Sequence, residues 1–190
     1  MLSRTLWDSA IELQSYLQSQ SFRFCFIGGV AVQRWGEPRV TDDLDLTIFL
    51  NYGEEQNVAK RILARYQSRH PNPLAFVLEA RILLLQDLSG TEIDLSLGGM
   101  PFEERMMERS SDWNILVHSS LRTCSAEDLV ILKSFASRPR DWIVVEKTII
   151  RQGSKLNRNL VREELEVLAT LKEEPEILDQ LEILFKKTSP

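Results

Sequence analysis

Two aspartates, Asp43 and Asp45, stand one residue apart around Leu44. In an extended strand, side chains at i and i+2 share a face, so both carboxylates project together while Leu44 and Leu46 point the other way. Paired carboxylates repel unless a cation lies between them, and a hard divalent ion such as Mg²⁺ takes such oxygen ligands. A third aspartate, Asp94, sits in the alternating stretch Glu92-Ile-Asp-Leu-Ser-Leu97, with Glu92 on the same face as a competing candidate. If that stretch lies beside the one bearing Asp43 and Asp45, three carboxylates converge. That is the donor set of a two-metal phosphoryl- or nucleotidyl-transfer site, in which the third carboxylate helps bind a metal and activates the attacking hydroxyl. Upstream, Gly28-Gly29 follows an apolar strand, where glycine permits positive φ and lets backbone N–H groups approach a phosphate. Taken singly, each feature also fits an ordinary turn or a solvated strand face. Only the set together points to that chemistry.

The elements that must position these residues can be read from periodicity. Leu2, Leu6, Ala10, Leu13 and Leu17 recur at helical spacing and predict an amphipathic first helix. Phe22–Ile27 predicts a strand running into Gly28-Gly29, and Val30–Trp35 a short helix broken at Gly36-Glu-Pro-Arg39. Asp43–Leu50 predicts the second strand and Glu54–Arg69 a helix stopped by His70-Pro-Asn-Pro73. Leu74–Leu88 and Glu92–Leu97 read as strands joined in a hairpin at Ser89-Gly90-Thr91. Pro101–Arg109 predicts a helix opened by proline, and Trp113–Val117 one more strand. From Ser125, an N-cap with Asp128 three residues on, the pattern is helical, with further helices from Asp141, Asn157 and Pro175. The expected class is α+β, a mixed central sheet flanked by helices, with a core over 1–118 and a helical part over 119–190.

Composition narrows the classes. The chain has 190 residues, 43% hydrophobic and 27% charged, which suits one core with a helical appendage rather than disorder. No apolar run approaches the ~20 residues needed to cross a bilayer, and Met1–Asp8 lacks the apolar stretch of a secretory leader. With only Cys25 and Cys124, no disulfide scaffold is expected, and a cytoplasmic protein follows. The net charge of −5 argues against broad contact with nucleic acid, so phosphate chemistry must be local, through a metal or a few cations.

Taken together, Ile27-Gly-Gly-Val-Ala31, Arg39-Val-Thr-Asp-Asp-Leu-Asp-Leu46 and Ile93-Asp-Leu95 resemble the nucleotidyltransferase superfamily of the DNA polymerase beta type. Thirteen residues separate Gly29 from Asp43, close to the gap of that pattern. The Gly-Gly form with Arg-x-Thr-x-Asp-x-Asp is most similar to the AbiEii-type branch, many of whose members are toxins of toxin–antitoxin pairs. Ser125–Lys133 followed by Arg138-Pro-Arg-Asp141 resembles a helical motif of that branch. The resemblance covers about residues 20–150. It implies that Gly28 and Gly29 hold an NTP, that Asp43, Asp45 and Asp94 bind Mg²⁺ or Mn²⁺, and that Asp94 acts as base. It further implies that Arg39 and Thr41 contact phosphate or orient Asp43, and that Lys133, on a helix facing the cleft, neutralises triphosphate charge. Asp128 and Asp141 would position Lys133 or the nucleotide. One departure is Gly29, where many members carry a serine whose hydroxyl adds a phosphate contact.

The activity implied is transfer of NMP from an NTP to an acceptor: tRNA, a protein, or a small molecule such as an antibiotic. A local basic patch of Arg138, Arg140, Lys147 and Arg151 would serve an RNA acceptor. The implied partners are the NTP, that acceptor and an antitoxin, with no membrane. Two readings compete. One is a non-catalytic nucleotide- or partner-binding module on the same fold, against which the three retained carboxylates argue. The other is a sugar-nucleotide transferase with an Asp-x-Asp, against which Gly28-Gly29 argues. His70, His118, Cys25, Cys124 and the four tryptophans Trp7, Trp35, Trp113 and Trp142 read as structural, with Trp35 the one placed to stack on a nucleotide. Glu163-Glu164 and Glu173-Glu174 read as a solvated helix face.

Overall fold

The computed structural model describes residues 5–188, so Leu2 of the predicted first helix lies outside the described residues. The described chain divides into two compact units, one formed by residues 5–30 and 40–124, the other by 31–39 and 125–188.

The first unit is built on a mixed seven-stranded sheet. Its strands are β1 (Arg23–Phe26), β2 (Asp43–Phe49), β3 (Gln67–Ser68), β4 (Ile82–Gln86), β5 (Glu92–Gly98), β6 (Ser111–Leu116) and β7 (Ser119–Thr123), in the order β3-β4-β5-β2-β1-β7-β6. Alternation decides which face of each strand is buried. Leu44, Leu46 and Ile48 of β2 and Ile93, Leu95 and Leu97 of β5 all point into one core. Each such side chain contributes about 1.5–3 kcal/mol on leaving water. Against that face pack Ala10, Leu13 and Leu17 of helix α1 (Leu6–Ser19), Val58, Ala59 and Ile62 of α3 (Glu55–Leu63) and Val77 of α4 (Pro73–Ala80). Trp7 and Trp113 meet edge to face at 5.9 Å at the margin of this core, an anchoring role. On the other face, α5 (Pro101–Arg109) packs on β1 and β2, burying Phe102, Met106 and Met107.

Local chemistry sets the helix ends. Thr5 caps α1, its hydroxyl accepting from the Asp8 N–H while Asp8 reaches back to the Thr5 N–H, a reciprocal capping box. Pro101 opens α5, as its spacing predicts.

Three sequence expectations need correction in this unit. The helix expected over Glu54–Arg69 stops at Leu63, because Gln67 and Ser68 pair with Gln86 and Leu85 at the sheet edge and form β3 instead. Leu74–Leu88 is not one strand. Pro73 takes the first helical position, α4 follows, and Arg81 closes it in the left-handed conformation (φ 53°) before β4 begins. Arg81 is held there by its Nε donating to the Leu97 carbonyl at 2.7 Å and by ion pairing with Glu55. The boundary at 118 also moves. Ser119–Thr123 is β7, antiparallel to β6 and parallel to β1 through Phe26 and Thr123, so the unit ends at Cys124. Gln14 of α1 reinforces β7, donating to the Ser120 carbonyl and accepting from the Arg122 N–H.

The second unit contains most of α2 (Gly28–Trp35), which starts at the end of the first unit, together with α6 (Ala126–Ala136), α7 (Pro139–Gln152), α8 (Arg158–Lys172) and α9 (Glu176–Lys187). Ser125 caps α6 in a capping box with Asp128, as the sequence predicts. Asn157 caps α8 through the Leu160 N–H at 3.1 Å. Val130, Ile131, Val145, Ile149, Val161, Leu165, Ile177 and Leu181 are buried here. The carbonyls at the end of α2 are satisfied from α7, where Arg151 donates to Gly36 and Gln152 to Trp35. No helix among the described residues is long and apolar enough to cross a membrane.

Candidate active site

Strands β2 and β5 are adjacent and parallel, with Asp45 opposite Asp94 and Asp43 opposite Glu92. The strand bearing Asp94 therefore lies directly beside the strand bearing Asp43 and Asp45. Four carboxylates from two neighbouring strands share the face opposite Leu44, Leu46, Ile93 and Leu95.

The glycines face these carboxylates. Gly28 has φ +49°, and a Cβ added there would lie 2.6 Å from the Asp45 Cβ and overlap its Oδ2. At Gly29 an added Cβ would lie 2.8 Å from the Thr41 Cβ and overlap its hydroxyl. The missing side chains of Gly28 and Gly29 make room for Asp45 and Thr41. The Gly29 N–H points to Asp45 Oδ2 at 3.4 Å, and the Ile27 N–H binds the Asp45 carbonyl at 2.9 Å, fixing the turn against β2. The Thr41 hydroxyl donates to Asp43 Oδ1 at 2.9 Å, an orienting contact on the first carboxylate.

A residue that the sequence did not single out completes the constellation. Arg69, just past β3, donates from Nε to the Leu85 carbonyl at 2.9 Å. Its Nη1 pairs with Glu92 at 2.9 Å and its Nη2 with Asp94 Oδ1. No motif signals it, because Arg69 reaches β5 only through the β3–β4–β5 ladder.

The remaining predicted site residues belong to the second unit. Arg39 is exposed, and its carbonyl accepts from the Gln33 side chain. Lys133 on α6 pairs at 3.3 Å with Asp141, a carboxylate only 2% exposed, which also takes Arg138 Nε at 2.5 Å. Burial pushes the Asp141 carboxyl up. The Arg138 hydrogen bond and the Lys133 charge outweigh it and hold the group below the usual carboxylate range. Asp128 is fully buried and serves as the capping partner of Ser125. Of the basic residues proposed for RNA, Arg138, Lys147 and Arg151 already engage Asp141, Glu37 and the Gly36 carbonyl. Trp35 is stacked under Arg34 at 4.1 Å. Cys25 and Cys124 are both buried, and no disulfide joins them.

The donor set fits a hard divalent ion. It is all oxygen, and Asp43 and Asp45 flank one buried leucine. Among the described residues, no group of three His, Cys, Asp or Glu side chains is arranged around a single ion position.

No family model and no curated protein matches the sequence. Solved structures do. An antigenic nucleotidyltransferase-like protein from Paracoccidioides brasiliensis superposes with a TM-score of 0.52 at 15% identity, over 92% of this chain and 90% of that one. The antibiotic-resistance factor ANT(2'')-Ia superposes with a TM-score of 0.51 at 15% identity, over 90% of this chain and 94% of that one. The chain thus has a nucleotidyltransferase-like fold. The likeness lies at the level of that fold and does not reach the AbiEii branch.

Proposed function

We propose that the protein is a metal-dependent nucleotidyltransferase that moves NMP from an NTP to an acceptor hydroxyl or phosphate. One observation carries the reading: Asp43, Asp45 and Asp94 share a face of two paired parallel strands, with Gly28 closed directly over Asp45. In the reaction an acceptor oxygen attacks the α-phosphorus, the bond to the β-phosphate bridging oxygen breaks, and pyrophosphate leaves. Asp94 would take the acceptor proton. Asp43, oriented by Thr41, and Asp45 would hold Mg²⁺ or Mn²⁺, which supplies charge to offset the triphosphate. The first N–H groups of α2, opened by Gly28 and Gly29, suit a phosphate. Lys133 and Arg39 are proposed, on the family resemblance, to neutralise phosphate charge. The same resemblance extends the proposal to a toxin held by an antitoxin, with tRNA, protein or small molecule as acceptor.

The test uses pure protein, Mg²⁺ or Mn²⁺, each α-labelled NTP and pools of candidate acceptors, with pyrophosphate release and label transfer as readouts. Metal-dependent transfer is expected from the parent. Asp43→Asn and Asp45→Asn should lose it, and lose metal-dependent NTP binding, with melting temperatures close to the parent's. Transfer at parental rates by either variant would refute the metal assignment. The pairing of Asp94 with Arg69 favours one second reading, a nucleotide-binding module without turnover. NTP binding without transfer to any pool would select it.

A further inference from the structure

The least expected group on the carboxylate face is a cation, Arg69. Its guanidinium is anchored independently of the acids, by the Nε–H to the Leu85 carbonyl at 2.9 Å, and the Arg69 N–H binds the Leu84 carbonyl at 2.8 Å. The fork is therefore fixed to β4 before it meets β5. One arm takes Glu92 and the other takes Asp94 through Oδ1 alone. Among the described residues Arg69 is the partner of the Asp94 carboxylate, and Oδ2 is left for another ligand. Asp94 lies directly across the β2–β5 pair from Asp45.

We propose that Arg69 is the positioning residue of this site, holding Asp94 by one oxygen so that the other is presented to the ion shared with Asp45. The inference rests on the metal-site reading above. Groups that hydrogen-bond a ligating carboxylate fix its orientation, and losing them typically weakens metal affinity about 10–100-fold. Arginine suits the role because its planar fork binds two acceptors while Nε binds a third, which a lysine ammonium cannot reproduce. The opposite role has the opposite sign. A guanidinium that merely cancelled negative charge would repel the incoming ion, and its removal would tighten binding.

The experiment is a Mn²⁺ titration of the full chain followed by electron paramagnetic resonance, with thermal melts alongside and no turnover needed. The parent should bind Mn²⁺ and Asp45→Asn should not. If either fails, the metal-site reading falls and takes the inference with it. Given both, Arg69→Gln should weaken Mn²⁺ about tenfold or more, and Arg69→Lys should also weaken it. Glu92→Gln should stay near the parent, because the Leu85 and Asp94 contacts survive. Unchanged or tighter binding in Arg69→Gln overturns the inference while leaving the site reading intact. If Arg69→Gln does not fold, the lysine variant decides in the same way. A loss in Glu92→Gln as large as that in Arg69→Gln would make Glu92 the presented ligand and would also overturn it.

Discussion

Gly28→Ala tests how tightly the turn is built over the carboxylates. Its cost has two parts. The residue sits at φ +49°, where a side chain costs about 1–2 kcal/mol whatever the surrounding space. The new Cβ would also lie 2.6 Å from the Asp45 Cβ, a separation that real Cβ atoms do not tolerate, so β2 or the turn must move. Overpacking of this kind costs a further 1–3 kcal/mol or so. For a chain of this size, each kcal/mol lowers the midpoint by about 2–4 °C, so a fall of roughly 4–20 °C is expected. Gly53→Ala isolates the first part, because Gly53 has φ +93° and nothing lies within 4 Å of its added Cβ. Melting of both variants by circular dichroism, with Mn²⁺ titration of each, separates backbone strain from contact. Gly28→Ala should melt well below Gly53→Ala and lose Mn²⁺ binding by displacing Asp45. If the two variants melt together and Gly28→Ala binds Mn²⁺ like the parent, the close packing of turn and carboxylate is wrong.

Two further outcomes concern stability. Asp87 accepts from the Ser9 and Ser89 hydroxyls and from the Ser89 and Thr91 N–H groups. Burial pushes its carboxyl up, but these donors hold it below its ordinary value, so the stability it contributes is complete above the unfolded carboxylate pKa near 4. Asp87→Asn should cost about 1–3 kcal/mol at pH 7, and the gap to the parent should close as pH falls below about 4; urea melts across pH 2.5–7 check this, and a gap independent of pH refutes it. Asp141→Ala leaves Lys133 without its buried partner and should cost roughly 3 kcal/mol in urea unfolding, whereas a change within experimental error would show that the pair contributes nothing net.

What the sequence disclosed followed from local rules. Period-two alternation located β2 and β5 and placed Asp43, Asp45 and Asp94 on the face opposite the leucines, because the alternation itself excludes the other face. Ser125 with Asp128, and Pro101, marked helix starts through capping chemistry confined to three residues. Non-local facts stayed hidden. Nothing within Leu74–Leu88 announces that a non-glycine residue, Arg81, will adopt positive φ and split a nearly continuous apolar run into α4 and β4. In β7, Leu121 is the one apolar residue, so Ser119–Thr123 has no strand pattern to read. Arg69 joins the acids through strand order, which no spacing in its own segment encodes.

The parallel pairing of Phe26 with Thr123 also bears on when the sheet can form. The first strand gains its second neighbour only after nearly a hundred further residues have been made, and Gln14 waits as long for Ser120, 106 positions away. At about 5–20 residues per second, a nascent chain spends several seconds with that edge of β1 open. Closure over such a span is slow because the loop entropy must be lost before the contacts repay it. A fragment ending at residue 118 would keep the carboxylates and the glycine turn yet leave β1 with one neighbour and β6 with none. The carboxylate site therefore depends, during synthesis, on a strand that carries none of its proposed chemistry.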